Sequence, residues 1–170
     1  GRYNFIHSTF ANYWNNNFRL FPSVVIDNVL QISETEFETK DLIEANFINC
    51  IIYGNEAREL IFVEDESAAF NFNFVNSLIR FDDTSGNYSD DTNYDVSNEN
   101  LYVDIVRNQD PAVFKTNLND FNIESEVSGA DGIADPAGAA LVPFDANGIS
   151  RIVPFPDAGA YQSIVFPDEG

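Results

Sequence analysis

Positive charge is scarce in this chain. Eight Lys and Arg face 28 Asp and Glu in 170 residues, a formal charge of −20. The only lysines are Lys40 and Lys115, and the arginines are scattered. Phosphate and anionic-lipid surfaces are bound through clustered Lys and Arg, so this deficit argues against a nucleic-acid or membrane-surface binder. One cysteine, Cys50, excludes an internal disulfide framework and a cysteine-based zinc cluster. No apolar run approaches the roughly 20 residues that a spanning helix needs. Methionine is absent, and there is one Trp and one His. What is abundant is aromatic: 16 Phe and seven Tyr, with 44% hydrophobic residues overall. Disordered acidic chains are poor in aromatics, so a folded domain with a continuous core is expected.

Three segments resemble one another: Tyr3 to Phe10, Ala45 to Tyr53, and Phe72 to Ile79. Aligned on Phe5, Phe47 and Phe74, each has Phe, then Ile or Val, then His or Asn, then Ser or Cys. A spacing in the twenties is that of one solenoid turn, and the longer first spacing fits one turn plus an insertion. The polar stretch 31–41 supplies that insertion. Further short runs rich in β-branched and aromatic residues occur at Ser23 to Leu30, Glu59 to Val63 and Leu101 to Val106. No stretch carries a sustained helical period. The fold class expected is all-β: a right-handed parallel β-helix over residues 1–110, then a closing segment over 111–170 of the same domain.

Equivalent positions of such a coil stack about 4.8 Å apart. His7, Asn49 and Asn76 then form one column at a corner, where Asn tolerates left-handed backbone angles. Ser8, Cys50 and Ser77 form a neighbouring column of small interior residues, which makes Cys50 a buried filler rather than a reactive thiol. All six are expected to act as a structural ladder.

Residues 82–100 form a long polar excursion. Within it Asp91, Asn93 and Asp95 place oxygen donors at alternate positions, as calcium loops do. The Gly and distal Glu of an EF-hand are missing, and a hydrated acidic loop explains the same residues. Calcium is the one cofactor suggested. Tyr13, Trp14, Asn16 and Phe18 combine aromatic rings with an amide, the chemistry of a carbohydrate platform, though a corner loop packed on the wall has the same composition.

The segments His7-Ser8-Thr9-Phe10-Ala11-Asn12-Tyr13-Trp14 and Asn49-Cys50-Ile51-Ile52-Tyr53-Gly54-Asn55 resemble Bacteroidota right-handed parallel β-helix surface proteins. So do Asp110-Pro111-Ala112-Val113-Phe114, Asn119-Asp120-Phe121-Asn122-Ile123, Gly148 to Arg151, and Pro156-Asp157-Ala158-Gly159-Ala160-Tyr161. The last of these is similar to the family's closing Pro-Asp-Ile-Gly-Ala-Tyr-Glu element, with Ala158 for Ile and Gln162 for Glu. The resemblance implies an extracellular, cell-surface protein of a Gram-negative bacterium, anchored at the outer membrane through a missing N-terminus. It implies no particular reaction.

The expected role is a noncatalytic surface scaffold or recognition module within an outer-membrane protein assembly, with no catalytic residue in this chain. The alternative is a polysaccharide lyase or glycoside hydrolase whose active site lies in earlier turns. Asp82, Asp83 and Asp104 are the candidate carboxylates for hydrolysis, and each fits a solvated loop or wall equally well. Tyr3 to Phe10 already reads as a core strand with no cover before it. A protein partner or further N-terminal turns are therefore expected at the Phe5 edge, with a glycan as the other candidate ligand.

Overall fold

The structure, a computed structural model, describes residues 1–14, 16, 19–152 and 154–168. Among the described residues its regular structure is β-strand apart from one six-residue α-helix and two single 3-10 turns, Thr92–Tyr94 and Thr116–Leu118. Among the described residues, no helix is long and apolar enough to cross a membrane. The strands are β1 (Arg2–Ile6), β2 (Thr9–Asn12), β3 (Val24–Asp27), β4 (Val29–Gln31), β5 (Phe37–Thr39), β6 (Leu42–Ile48) and β7 (Ile51–Gly54). They continue with β8 (Leu60–Val63), β9 (Phe70–Val75), β10 (Leu78–Ile79), β11 (Tyr102–Val103), β12 (Val106–Arg107), β13 (Val113–Lys115) and β14 (Asp120–Ile123). Helix α1 spans Pro136–Leu141.

Two four-stranded sheets are parallel throughout, in the orders β1-β6-β9-β11 and β2-β7-β10-β12. A third pair, β3-β8, is parallel as well. The chain visits the first sheet, then the second, and returns to the first at the next position along. The register aligns Phe5 with Phe47, Phe47 with Phe74 and Phe74 with Tyr102, which is the sequence alignment extended by one member. The 31–41 insertion opens into an antiparallel pair, β4-β5, that lies outside this progression.

Two features of the sequence produce the packing. Alternation along β6 and β9 sends Phe47, Phe72 and Phe74 inward and Asn46 and Asn73 outward. The inward rings stack in register: Phe5 on Phe47 at 4.9 Å, Phe47 on Phe74 at 4.7 Å, Phe74 on Tyr102 at 5.6 Å. Alternation is lost at Ile51-Ile52-Tyr53, because β7 is buried on both faces. Ile52 faces the aromatic core, whereas Ile51 and Tyr53 pack with Ile123, Ala130, Ala134 and Ala158 of the C-terminal segment.

The sharp corners between the first and second sheets need positive φ. His7, Asn49, Asn76 and Asp104 occupy them at 49°, 56°, 46° and 48°. Asn and Asp tolerate this region because their short side chains bond locally; His is less usual there.

Candidate functional site

The two ends of the strand progression differ. At the β11–β12 end the 82–100 excursion folds back over the interior. Tyr94 stacks on Phe81 at 4.5 Å, meets Phe62 edge-on at 4.9 Å and accepts the Phe62 N–H at 3.0 Å. The Tyr102 hydroxyl donates to the Asn93 carbonyl, and Tyr102 is only 5% exposed. At the other end, among the described residues, β1, β2 and β3 each pair on one side only, as β11 and β12 do at the covered end. Their inward residues line an open cavity of about 390 Å³, walled by Tyr3, Phe5, Phe10, Val24, Ile26 and Leu42. None of these three strands carries the Lys or Pro with which edge strands commonly discourage pairing. The cavity can take up apolar side chains, and its rim offers unpaired backbone groups.

The corner column does more than turn the chain. Asn49 Oδ1 accepts the Asp135 N–H at 2.7 Å, and Nδ2 donates to the Asp135 carbonyl and to His7 Nε2, both at 2.9 Å. Asn76 Nδ2 donates to the Ile133 carbonyl at 2.8 Å. Gly159 N–H donates to the Asn49 carbonyl at 2.8 Å, and Ala160 N–H to Thr9 Oγ1 at 2.9 Å. The C-terminal segment is thus fastened along the side of the sheets, touching residues of three successive passes. In the small-residue column, Ser77 Oγ accepts the Cys50 N–H at 2.9 Å, and the thiol lies 3.5 Å from the Phe5 carbonyl. The Ser8 hydroxyl faces the Ile6 carbonyl. Burial pushes the Cys50 thiol up to about 12, with the Ser8 and Ile48 backbone pulling weakly the other way.

The closing motif also assembles. Arg151 is buried, donating from Nε to the Val142 carbonyl at 3.0 Å, from Nη1 to Gln162 Oε1 at 3.2 Å and from Nη2 to the Gly159 carbonyl at 3.1 Å. The Asp157 carboxylate accepts from Gly132 N–H, Ser163 N–H and Gln162 Nε2. Asp145 accepts from Asn147, Ile149 and Gln162 N–H groups. These residues hold the segment's own folds together.

The acidic excursion is tied to itself. Asp91 accepts the Asn93 N–H at 2.9 Å, Asp95 accepts the Ser97 N–H and hydroxyl, and Asn93 Nδ2 donates to Glu64 at 2.7 Å. The Ser97 hydroxyl and amide hold the Asp95 carboxyl below the usual range. Asp83 accepts the Asn87 and Tyr88 N–H groups, and Asp82 the Thr84 hydroxyl. Among the described residues, no three His, Cys, Asp or Glu side chains converge as a metal site.

The aromatic group at the first corner is split. Tyr13 turns inward and stacks on Phe121 at 6.2 Å, and burial raises its phenol pKa. Trp14 is 56% exposed and Asn16 is exposed. Phe18 lies outside the described residues. What the sequence did not announce is Glu59, fully buried and bonded to Arg19, to the Ser23 N–H and hydroxyl at 2.8 Å each, and to the Glu56 N–H at 2.9 Å. The glycine at 54 makes room for it: a Cβ there would lie 2.2 Å from both Glu59 Oε1 and the Asn12 carbonyl.

No family model matches the chain, and neither does any curated protein or solved structure.

Proposed function

We propose that this chain is a noncatalytic scaffold or recognition module, built as a right-handed parallel β-helix, that engages other protein through its open β1-β2-β3 end. The observation that carries this reading is the contrast between the ends: one is covered by Tyr94, the other is an apolar cavity rimmed by three strands that each pair on one side only. The β-helix reading is supported by parallel register across successive passes and by the near-universal right-handedness of parallel crossovers. A surface location in a Gram-negative envelope rests on the family resemblance alone. The occupant of the end is further strands of the same design or a partner's strand, added edge to edge.

A second copy is the partner that a purified solution always offers. The chain's own charge of −20 opposes association at low salt, so self-association should strengthen as salt rises. Light scattering across salt concentration, beside binding of an apolar fluorescent dye, tests this. Phe5→Lys and Val24→Lys place a charge at the cavity while lowering overall repulsion, so reduced association and dye binding would be specific to this end. A chain that stays monomeric at high salt and binds no dye would overturn the proposal.

A further inference from the structure

His7 occupies a column whose next two members, Asn49 and Asn76, do not titrate, and it is the only histidine in the chain. It is 4% exposed, and among the described residues its Nδ1 has no well-aligned hydrogen-bond partner, although the Gly159 and Asp157 backbone lies close enough to favour a proton on the ring. Its protonation state follows from Asn49. The Asp135 N–H donates to Asn49 Oδ1 and the Asp135 carbonyl accepts from Nδ2, so the amide cannot be reversed without facing N–H to N–H and oxygen to oxygen. Nδ2 therefore donates to His7 Nε2 at 2.9 Å, and that nitrogen must carry a lone pair. The docked state requires a neutral imidazole with its proton on Nδ1.

A proton on Nε2 would set two donors against each other inside the contact that fastens the C-terminal segment. Asn49 has no room to swing away: a Cβ on Gly138 of α1 would lie 2.5 Å from its Nδ2. The charged groups around the ring belong to that segment. Arg151 opposes a second positive charge. Asp135 favours one, but its carboxylate is held by the Ala137 and Gly138 N–H groups at the start of α1. Asp145 and Asp157 carry the opposite charge beside Arg151.

We propose that His7 is an acid-sensitive latch: its protonation releases the 130–160 segment from the side of the sheets while the parallel strands remain paired. Burial first, and Arg151 second, lower the His7 pKa from 6.5 to about 4. Because the docked value is depressed, docking is at full strength above about pH 6.5 and weakens as pH falls toward 4. That shift sets the ceiling on the effect at roughly 300-fold in the docking equilibrium.

Amide hydrogen exchange of Asp135, Gly159 and Ala160, whose N–H groups bond across the contact, reads the latch directly. After correction for intrinsic rates, their protection should fall by about 100-fold between about pH 7 and pH 4, the ceiling being reached only at lower pH. In His7→Asn, which supplies the column's own residue type, the fall should be several-fold smaller. Carboxylate titrations are common to both proteins and cancel in the comparison. Equal acid responses would overturn the latch. Nitrogen NMR of the single imidazole in the unaltered protein gives a second test that needs no variant. It should report the Nδ1–H tautomer, still neutral at about pH 5.5. Titration near 6.5, or the other tautomer, would also overturn the proposal.

Discussion

The stacked aromatic column makes the cost of a truncation depend on position, and Phe74 and Phe5 are its sharpest comparison. Phe74 is fully buried, with Phe47 on one face at 4.7 Å and Tyr102 on the other at 5.6 Å. Removing such a ring costs about 3–5 kcal/mol in lost transfer and residual cavity. Phe5 stacks on Phe47 at 4.9 Å and meets Phe10 edge-on at 5.3 Å, but its outer face borders the open cavity. With part of the ring already in water and one stacking partner absent, Phe5→Ala should cost about half as much, roughly 2 kcal/mol. For a chain of this size each kcal/mol lowers the melting temperature by about 2–4 °C, so Phe74→Ala should lose about 12 °C and Phe5→Ala about 6 °C. Thermal and urea unfolding followed by far-ultraviolet circular dichroism measure both. Equal losses, or a larger loss at Phe5, would refute a column that is buried in the middle and open at the β1 end.

Glu59→Ala should destabilise by about 3 kcal/mol, because it removes the buried carboxylate that Arg19 and Ser23 bond and leaves the buried guanidinium only the Glu56 carboxylate at 3.9 Å; a loss below about 1 kcal/mol would contradict the clasp. Gly159→Ala should cost about 3 kcal/mol and expose the C-terminal segment to protease: φ there is +88°, and a Cβ would lie 2.5 Å from Ile51 Cδ1 and 2.7 Å from Thr9 Oγ1. Wild-type protease resistance in that variant would argue that the segment does not dock as described. Cys50, fully buried with its thiol pushed up to about 12, should ignore a disulfide reagent at neutral pH and react at once in denaturant; rapid native labelling would place it elsewhere.

The strands and their register were legible because a stacked parallel arrangement writes the same residue at each position. Phe, then an aliphatic, then His or Asn, then Ser or Cys recurs, and Phe5, Phe47 and Phe74 stand in register in the structure. The fourth member was harder to see. Tyr102 replaces Phe and Asp104 replaces Asn, so the run Leu101 to Val106 reads as a strand without declaring its place in the column. The 82–100 excursion misled in a different way. Its polar composition describes the surface of the loop, whereas Tyr94 and Tyr88 are aromatic exceptions that turn inward to meet Phe81. Helix α1 is too short for periodicity to register, and depends instead on Asp135 capping its first turn and Pro136 opening it. Glu59 was invisible because a single acidic residue in an acidic chain looks like surface. Only the approach allowed by Gly54, and the four donors around its carboxylate, show that it is interior. Spacing alone does not bring Arg151, Asp157 and Gln162 together; their convergence needs the fold.

The open end is most directly tested by residue-resolved amide exchange on β1, β2 and β3, on dilute protein at low ionic strength, where the charge of −20 keeps chains apart. In a parallel edge strand alternate N–H groups bond inward and the rest face outward. An open end predicts alternating fast and slow exchange along Arg2–Ile6, Thr9–Asn12 and Val24–Asp27, against uniformly slow exchange in the central β6 and β9. Uniformly slow exchange along all three edge strands would mean that something already covers them, and would contradict a recognition surface at this end.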